Sequence, residues 1–285
     1  MKKKKPVIII AVIFAALIAM LIWVIWANTA LEINTYTIKS EKLPSEFSGF
    51  RIAHVSDLHN AEMGENNERL IELLSRERPD IIAITGDIMD TDGEHDGAYS
   101  LIEGAVKIAP CYYVTGNHEA GISQSSYSAL EEYMKEQGVT VLHSEEVLIE
   151  RGSSYISVAG LEDPAYSMKY EGLNVSDLNE DHIKKVVNEE MFSVLLSHRP
   201  ELFEKYVAAE CDLVLTGHAH GGQFRLPFIG GVIAPGQGLF PEYDCGVYTE
   251  GDTDMVVSRG IGNSIIPLRF NNRPEIVMVE LECAD

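Results

Sequence analysis

Residues 50–59 read FRIAHVSDLH, residues 80–87 read DIIAITGD, and residues 111–118 read CYYVTGNH. In each stretch a short apolar run stops on a small or polar residue and then delivers a carboxylate, an amide or an imidazole. The pattern returns as FSVLLSH at 192–198 and as DLVLTGHAH at 212–220. Short, almost continuously apolar runs are what strands buried on both faces require. Helical patterns lie between them at 65–78, with Leu70, Ile71, Leu73 and Leu74 on one side, at 99–109 and at 125–137. Residues 139–142, 147–149, 155–161, 253–258 and 275–281 read as further strands. This alternation predicts one α/β domain, undivided by any linker or repeat.

The five runs end in Asp57-Leu58-His59, Gly86-Asp87, Gly116-Asn117-His118, Ser197-His198 and Gly217-His218-Ala219-His220. Singly these are weak signals. A lone histidine on an apolar strand is more often a satisfied core residue, and Asn after Gly is more often a turn. Together they are specific, because ligands converge on the loops at the carboxyl ends of strands in an α/β sheet. Asp, Asn and His without a thiolate suit Mn²⁺, Fe²⁺ or Zn²⁺. Seven candidate ligands exceed one tetrahedral ion and suit two ions sharing a carboxylate. Paired ions about 3.5–4 Å apart are the usual arrangement for phosphoester hydrolysis.

The ordered series DxH, GDxxD, GNHE, H and GHxH resembles the calcineurin-like metallophosphoesterase superfamily from about Phe50 to the end, with 30 residues from Asp57 to Asp87 and again to Asn117. The stretch GHAHGGQFRLP at 217–227 and the closing SRGIG and RPEI segments are similar to a bacterial subgroup of membrane-associated or exported phosphoesterases, the YkuE/YaeI type. The resemblance implies an αββα sandwich of two packed mixed sheets flanked by helices. It implies that Asp57, His59 and His220 hold a first divalent metal, that Asn117, His198 and His218 hold a second, and that Asp87 bridges them. His118 is then the non-ligand histidine that donates a proton or hydrogen bond, and Asp90, last in GDxxD, is a partner that orients the site. Glu119 stands where many relatives have Asp and is expected to alter the orientation of His118 without removing a ligand. The implied reaction is in-line attack on phosphorus by a metal-bridging hydroxide, with His118 assisting the leaving alkoxide. Arg199 is a further candidate for contact with the substrate phosphate, against the plainer reading that it fixes a turn before Pro200.

The remaining features bound the setting. Lys2, Lys3, Lys4 and Lys5 precede 21 uncharged residues at 7–27, which carry Trp23 and Trp26 near the far end. That length spans about 30 Å of hydrocarbon, and lysines stay on the cytoplasmic side. The expected organisation is a basic amino terminus at 1–6, a transmembrane signal anchor at 7–27, a linker and edge strand at 28–49 and a catalytic domain at 50–285. The catalytic domain then lies outside the cell membrane, or is secreted if the small residues at 27–30 are cut. The first 27 residues hold four of the 22 basic residues and none of the 44 acidic ones, so the remainder carries −26. So acidic a domain offers no footprint for nucleic acid. No G-x-S-x-G is present, which disfavours a serine hydrolase.

These readings predict a metal-dependent phosphoester hydrolase, a phosphodiesterase by subgroup resemblance, acting on a lipid or other envelope substrate. The alternatives are a phosphomonoesterase or nucleotidase acting on soluble esters, and a non-catalytic interaction module. Cys111 and Cys211 open apolar runs and read as small buried hydrophobes, while the redox state of the four cysteines stays open. His54 reads as structural, and His95, His143 and His182 as solvated. Residues 224–243, rich in Gly, Pro and apolar side chains, read as a β excursion packed on the core, with a lipid-contacting lip as the alternative.

Overall fold

Each of the five apolar runs is a strand, and they divide between two sheets. The computed structural model describes residues 4–90, 95–173, 180–263 and 266–284; Lys2 and Lys3 fall outside these. In chain order the strands of the first sheet are β1 (Glu32–Ser40), β2 (Phe50–Val55), β3 (Ile81–Thr85), β4 (Cys111–Val114) and β5 (Thr140–Val141). Those of the second are β6 (Glu145–Arg151), β7 (Ser154–Gly160), β8 (Ser193–Leu196) and β9 (Leu213–Thr216). Two small hairpins follow, β10 (Arg225–Leu226) with β11 (Gly230–Gly231) and β12 (Ile233–Ala234) with β13 (Gly238–Leu239). β14 (Gly246–Glu250) and β15 (Thr253–Val257) complete the second sheet, and β16 (Glu275–Cys283) returns to the first.

The first sheet has the order β1-β16-β2-β3-β4-β5 and the second β14-β15-β9-β8-β7-β6. β2 to β5 run parallel, β16 is antiparallel to β2, and β1 lies parallel to β16 at the edge. Side-chain parity fixes the layers, since alternate residues of a strand face opposite sides. Ile52, Ala83, Val194, Leu213, Val277 and Val279 meet between the sheets. Their neighbours Ala53, Ile82, Ile84 and Met278 face outward onto Leu70 and Leu74 of α2 (Glu68–Glu77), Leu101 of α3 (Asp96–Ala105) and Leu130 of the Gln124–Gln137 helix. On the far side Leu195, Val214 and Met255 pack under Ile183, Phe203 and Tyr206. The result is the αββα sandwich, with the strand ends that carry the motifs brought to one edge.

The amino-terminal helix α1 (Lys4–Thr29) shows apolar side chains on every face, Ile9, Phe14, Leu17 and Ile22 among them. Two departures from the sequence expectations are informative. β14 was not legible, because Gly246–Glu250 is a half-exposed edge strand without a clean apolar alternation. Residues 224–243 pack on the core only in part: Ala234 is buried in it and the Tyr243 ring meets Phe203, while Phe228, Ile229, Leu239 and Phe240, in or beside two-residue strands that cannot bury two faces, point into solvent. Cys111 and Cys211 are buried, and all four thiols are free.

Candidate metal centre

The chain leaves its strands on tight backbone turns. Asp57 (φ 52°), His59 (47°), Asp87 (52°), His218 (64°) and His220 (48°) all occupy the left-handed region that non-glycine residues avoid. Hydrogen bonds between loops hold them there. The Asp57 N–H donates to the Gly86 carbonyl at 3.1 Å, the His59 N–H to the Asp87 carbonyl at 2.9 Å and the Gly262 N–H to the Asp57 carbonyl at 2.7 Å. Two glycines permit the packing. A Cβ at Gly217 would collide with Ser56 Oγ and the Asp57 carboxylate. One at Gly260, itself at φ +68°, would lie 2.6 Å from the Asp57 Cβ, which explains the glycine in the closing SRGIG segment.

These turns gather six of the seven ligand candidates. Asp57, His59 and His220 form one cluster, and Asp87, His198 and His218 another. In the first, His59 Nε2 lies 3.1 Å from His220 Nε2, which is 3.4 Å from Asp57 Oδ1. In the second, His198 Nε2 lies 3.1 Å from Asp87 Oδ2 and 3.2 Å from His218 Nδ1. Asp87 Oδ2 is also 3.8 Å from His59 Nε2, so one carboxylate oxygen faces both groups. The Asn117 Oδ1 atom is buried and has no hydrogen-bond partner among the described residues.

The donor set fits cations. His198 Nδ1 lies 2.7 Å from the Thr85 carbonyl, which can only accept, so Nδ1 carries the proton and Nε2 presents a lone pair to a carboxylate. Lone pairs that close repel unless a positive charge lies among them. The ionisation of these groups says the same. Burial works to lower the pKa of His198, yet Asp87 pushes it up to about 10, a proton standing where a cation would sit. Burial, with cationic neighbours, drives His218 and His220 well below the usual imidazole range, leaving their rings neutral. Burial would raise Asp87, but the imidazoles led by His198 hold it well below the carboxylate range. Residues of this type, buried and aimed at one another, fit a dinuclear divalent metal site.

His118 falls in a third cluster with His59 and Asp87, but it differs from the other histidines of these clusters in exposure. Its side chain is 22% exposed, whereas those of His59, His198, His218 and His220 are 0–4% exposed. Its Nδ1 contacts Asp90 Oδ1 and its Nε2 faces Asp87 Oδ2 at 3.9 Å. Asp90 Oδ1 is also 3.5 Å from His59 Nδ1, and that contact chiefly holds its carboxyl below the ordinary value. Arg199 is gripped by Asp163 at 2.6 and 3.1 Å and by Glu201 at 3.3 Å, beside His218.

Glu119 acts differently from the sequence expectation. Fully buried, it accepts N–H bonds from Gly116 (2.7 Å), Asp87 (2.9 Å) and Ile88 (2.9 Å), and so ties the Asp87 loop to the Asn117 loop. Its effect falls on the loops that position the ligands. The readable signal was Glu at the third residue of a helix starting at Asn117, the spacing from which a carboxylate reaches back to the cap N–H. Sequence reasoning also missed Arg269, a fully buried guanidinium that donates to the Arg259 and Gly262 carbonyls and props the 259–262 loop under Asp57. It lies in an apolar stretch with no motif to flag it. His143 is partly exposed but paired: it bonds Glu162 at 2.6 Å and Glu131 at 3.0 Å, and the first of these contacts chiefly raises its pKa to about 9.

Comparison with known proteins agrees with this geometry. The calcineurin-like phosphoesterase family profile matches residues 50–222. The chain belongs to the calcineurin-like metallophosphoesterases. Among its relatives, the uncharacterized metallophosphoesterase YkuE of Bacillus subtilis (strain 168) is 33% identical over 261 residues, covering 88% of this chain and 86% of its own. Phosphodiesterase YaeI of Escherichia coli (strain K12) is 27% identical over 236 residues, covering 81% and 82%. A transmembrane protein with metallophosphoesterase domain from Danio rerio is 28% identical, covering 87% of this chain and 56% of its own. The fold is shared with the Thermus thermophilus sulfate thiohydrolase SoxB, at TM-score 0.53 and 14% identity over 84% of this chain and 57% of that one. Membership in the family makes the chain a phosphoesterase with a site for divalent metal.

Proposed function

We propose that this metallophosphoesterase is a membrane-anchored phosphodiesterase using two divalent ions, Mn²⁺, Fe²⁺ or Zn²⁺. The carrying observation is the Asp87 Oδ2 atom shared by two clusters of lone-pair donors. Asp57, His59 and His220 would hold one ion and Asn117, His198 and His218 the other, with Asp87 placed to serve both. When bound, the ions supply Lewis acidity and an activated water at neutral pH. Asp57 and Asp87 offset only part of that charge, so the centre stays positive inside an acidic domain and draws in phosphate. His118, open to solvent, gives the leaving oxygen a proton from Nε2 while Asp90 holds Nδ1. Arg199 adds positive charge at the flank, with Asp163 fixing its plane.

Preference for a diester is supported by the name of the Escherichia coli relative. Anchoring is supported by the Ile8–Thr29 span, with a mean hydropathy of 3.2, and by the Danio rerio relative. With lysines inside, the catalytic domain faces out and meets a lipid or envelope phosphodiester. The test is hydrolysis by the full chain in detergent, metal-stripped and then reloaded with each ion, on bis-p-nitrophenyl and p-nitrophenyl phosphate in parallel. Metal-dependent diester cleavage, about 10³-fold above Asp87→Ala, is expected. Cleavage of the monoester alone overturns the diesterase assignment, and failure to take up metal restores the interaction module.

A further inference from the structure

A cavity of about 420 Å³ opens beside the metal centre, a volume typical of small-molecule sites. Its walls are Ile233, Ala234, Pro235 and Gly236 of the β12–β13 hairpin on one side and Ile266 on the other, and His220 stands at its inner end. Apart from the Gln223 amide and the His220 imidazole, the described lining residues are apolar or glycine. In or beside the two hairpins Phe228, Ile229, Leu239 and Phe240 are also exposed, as is Leu268 two residues after Ile266. Contiguous exposed apolar side chains on a soluble domain are the sign of a binding surface.

Named contacts connect this cavity to the membrane helix. The Gln223 side-chain amide donates to the carbonyls of Ile266 and Leu268, at 2.7 Å each, clamping the wall that carries Ile266. The Arg225 N–H donates to the Phe270 carbonyl at 2.9 Å, and the Phe270 ring meets Trp23 of α1 edge-on at 5.0 Å. At the adjacent position, Asn28 and Arg269 exchange two bonds, of 2.7 and 2.9 Å. The cavity thus has a metal ligand at its inner end, and the segment forming its wall is fastened to the end of the apolar span. The −26 charge of residues 28–285 gives no attraction to anionic lipid head groups. Contact with lipid has to come through apolar groups, and this is where the chain exposes them.

We propose that the cavity receives the hydrocarbon chain of the substrate, which is an amphiphilic phosphodiester entering from the bilayer beside α1 with its phosphate at Asp87 and its chain along Ile233 and Ile266. This rests on the phosphodiesterase reading above and adds the substrate's apolar half.

The experiment is a chain-length series. Methyl, butyl, hexyl and octyl p-nitrophenyl phosphates are offered to the full chain in a lipid nanodisc loaded with Mn²⁺. Water adds to phosphorus, p-nitrophenolate leaves and an alkyl phosphate remains, so release is read by absorbance. We expect kcat/KM to rise about 10- to 100-fold from methyl to octyl. Ile233→Asp and Ile266→Asp, both at partly exposed positions, should bring the octyl-to-methyl ratio down toward one. Because the ratio is internal to each variant, a smaller folded fraction does not move it, and the wild-type series decides the matter if a variant fails to fold. Equal kcat/KM across the series, or a ratio that both variants leave unchanged, overturns the inference while leaving the phosphodiesterase reading intact. Cleavage of no member of the series overturns that reading itself.

Discussion

Non-glycine residues with positive φ gather in two places around the centre, and the fold treats the two groups in opposite ways. On the floor, Asp57, His59, Asp87, His218 and His220 are buried, and hydrogen bonds from neighbouring loops fix their turns. At the lip, Phe228 (φ 67°) and Phe240 (φ 56°) carry the same strain, but their side chains are 108% and 61% exposed. A left-handed residue costs about 1–2 kcal/mol. On the floor that cost aims ligand atoms at one another. At the lip an aromatic ring in water returns nothing to folding. The difference shows that strain alone does not identify a function: at the floor it accompanies buried, mutually aimed donor atoms, and at the lip it accompanies exposed rings.

His118 gives the largest effect with which to sharpen the contrast. It sits on the floor but contributes no ligand atom to the proposed metal set, so His118→Ala should keep both metals. For diesters with poor leaving groups, turnover should fall about 10²- to 10⁴-fold, the range for removing a proton donor. For p-nitrophenyl esters, whose leaving group needs no proton, the loss should be much smaller. Metal analysis beside kinetics on the two ester types checks this. Equal losses on both would remove proton donation from the role of His118.

Glu119 comes next. Glu119→Ala strips the acceptor from three short backbone N–H bonds in a buried place, a loss of about 2–4 kcal/mol. A melting temperature lower by roughly 4–12 °C should follow, with metal affinity weaker by about 10- to 100-fold. The dependence on leaving group should stay that of the wild type, because the carboxylate supports the loops and not the His118 ring. A changed leaving-group dependence with unchanged metal affinity would return Glu119 to the part the sequence first suggested.

These two residues also show what a sequence makes legible. His118 and the candidate ligands stand one to four residues beyond apolar runs, where the loops at strand ends converge, so the fold could be read and the floor's candidates could be named. The partner of Glu119 is the backbone of a loop 30 residues away, and backbone amides leave no trace in residue identity. Arg269 is hidden for the same reason, since its partners are carbonyls. The lip was composed of readable residues, but their exposure depends on hairpins too short to cover themselves. Only the structure shows Phe228 pointing outward.

Phe228 gives the smallest effect and the most direct test of the contrast. Replacing it with glycine removes about 1–2 kcal/mol of left-handed strain and adds about 0.5–1 kcal/mol of chain entropy to the unfolded state. No buried contact offsets that balance, so Phe228→Gly should leave the protein unchanged or more stable by up to about 1 kcal/mol. Thermal melts of the metal-loaded chain should shift upward by roughly 0–4 °C. The same substitution at Asp87 would also relieve strain, yet it would abolish the shared ligand. A fall of several degrees for Phe228→Gly would show that the ring packs on the body in solution, making the lip part of the fold and ending the distinction between the two regions.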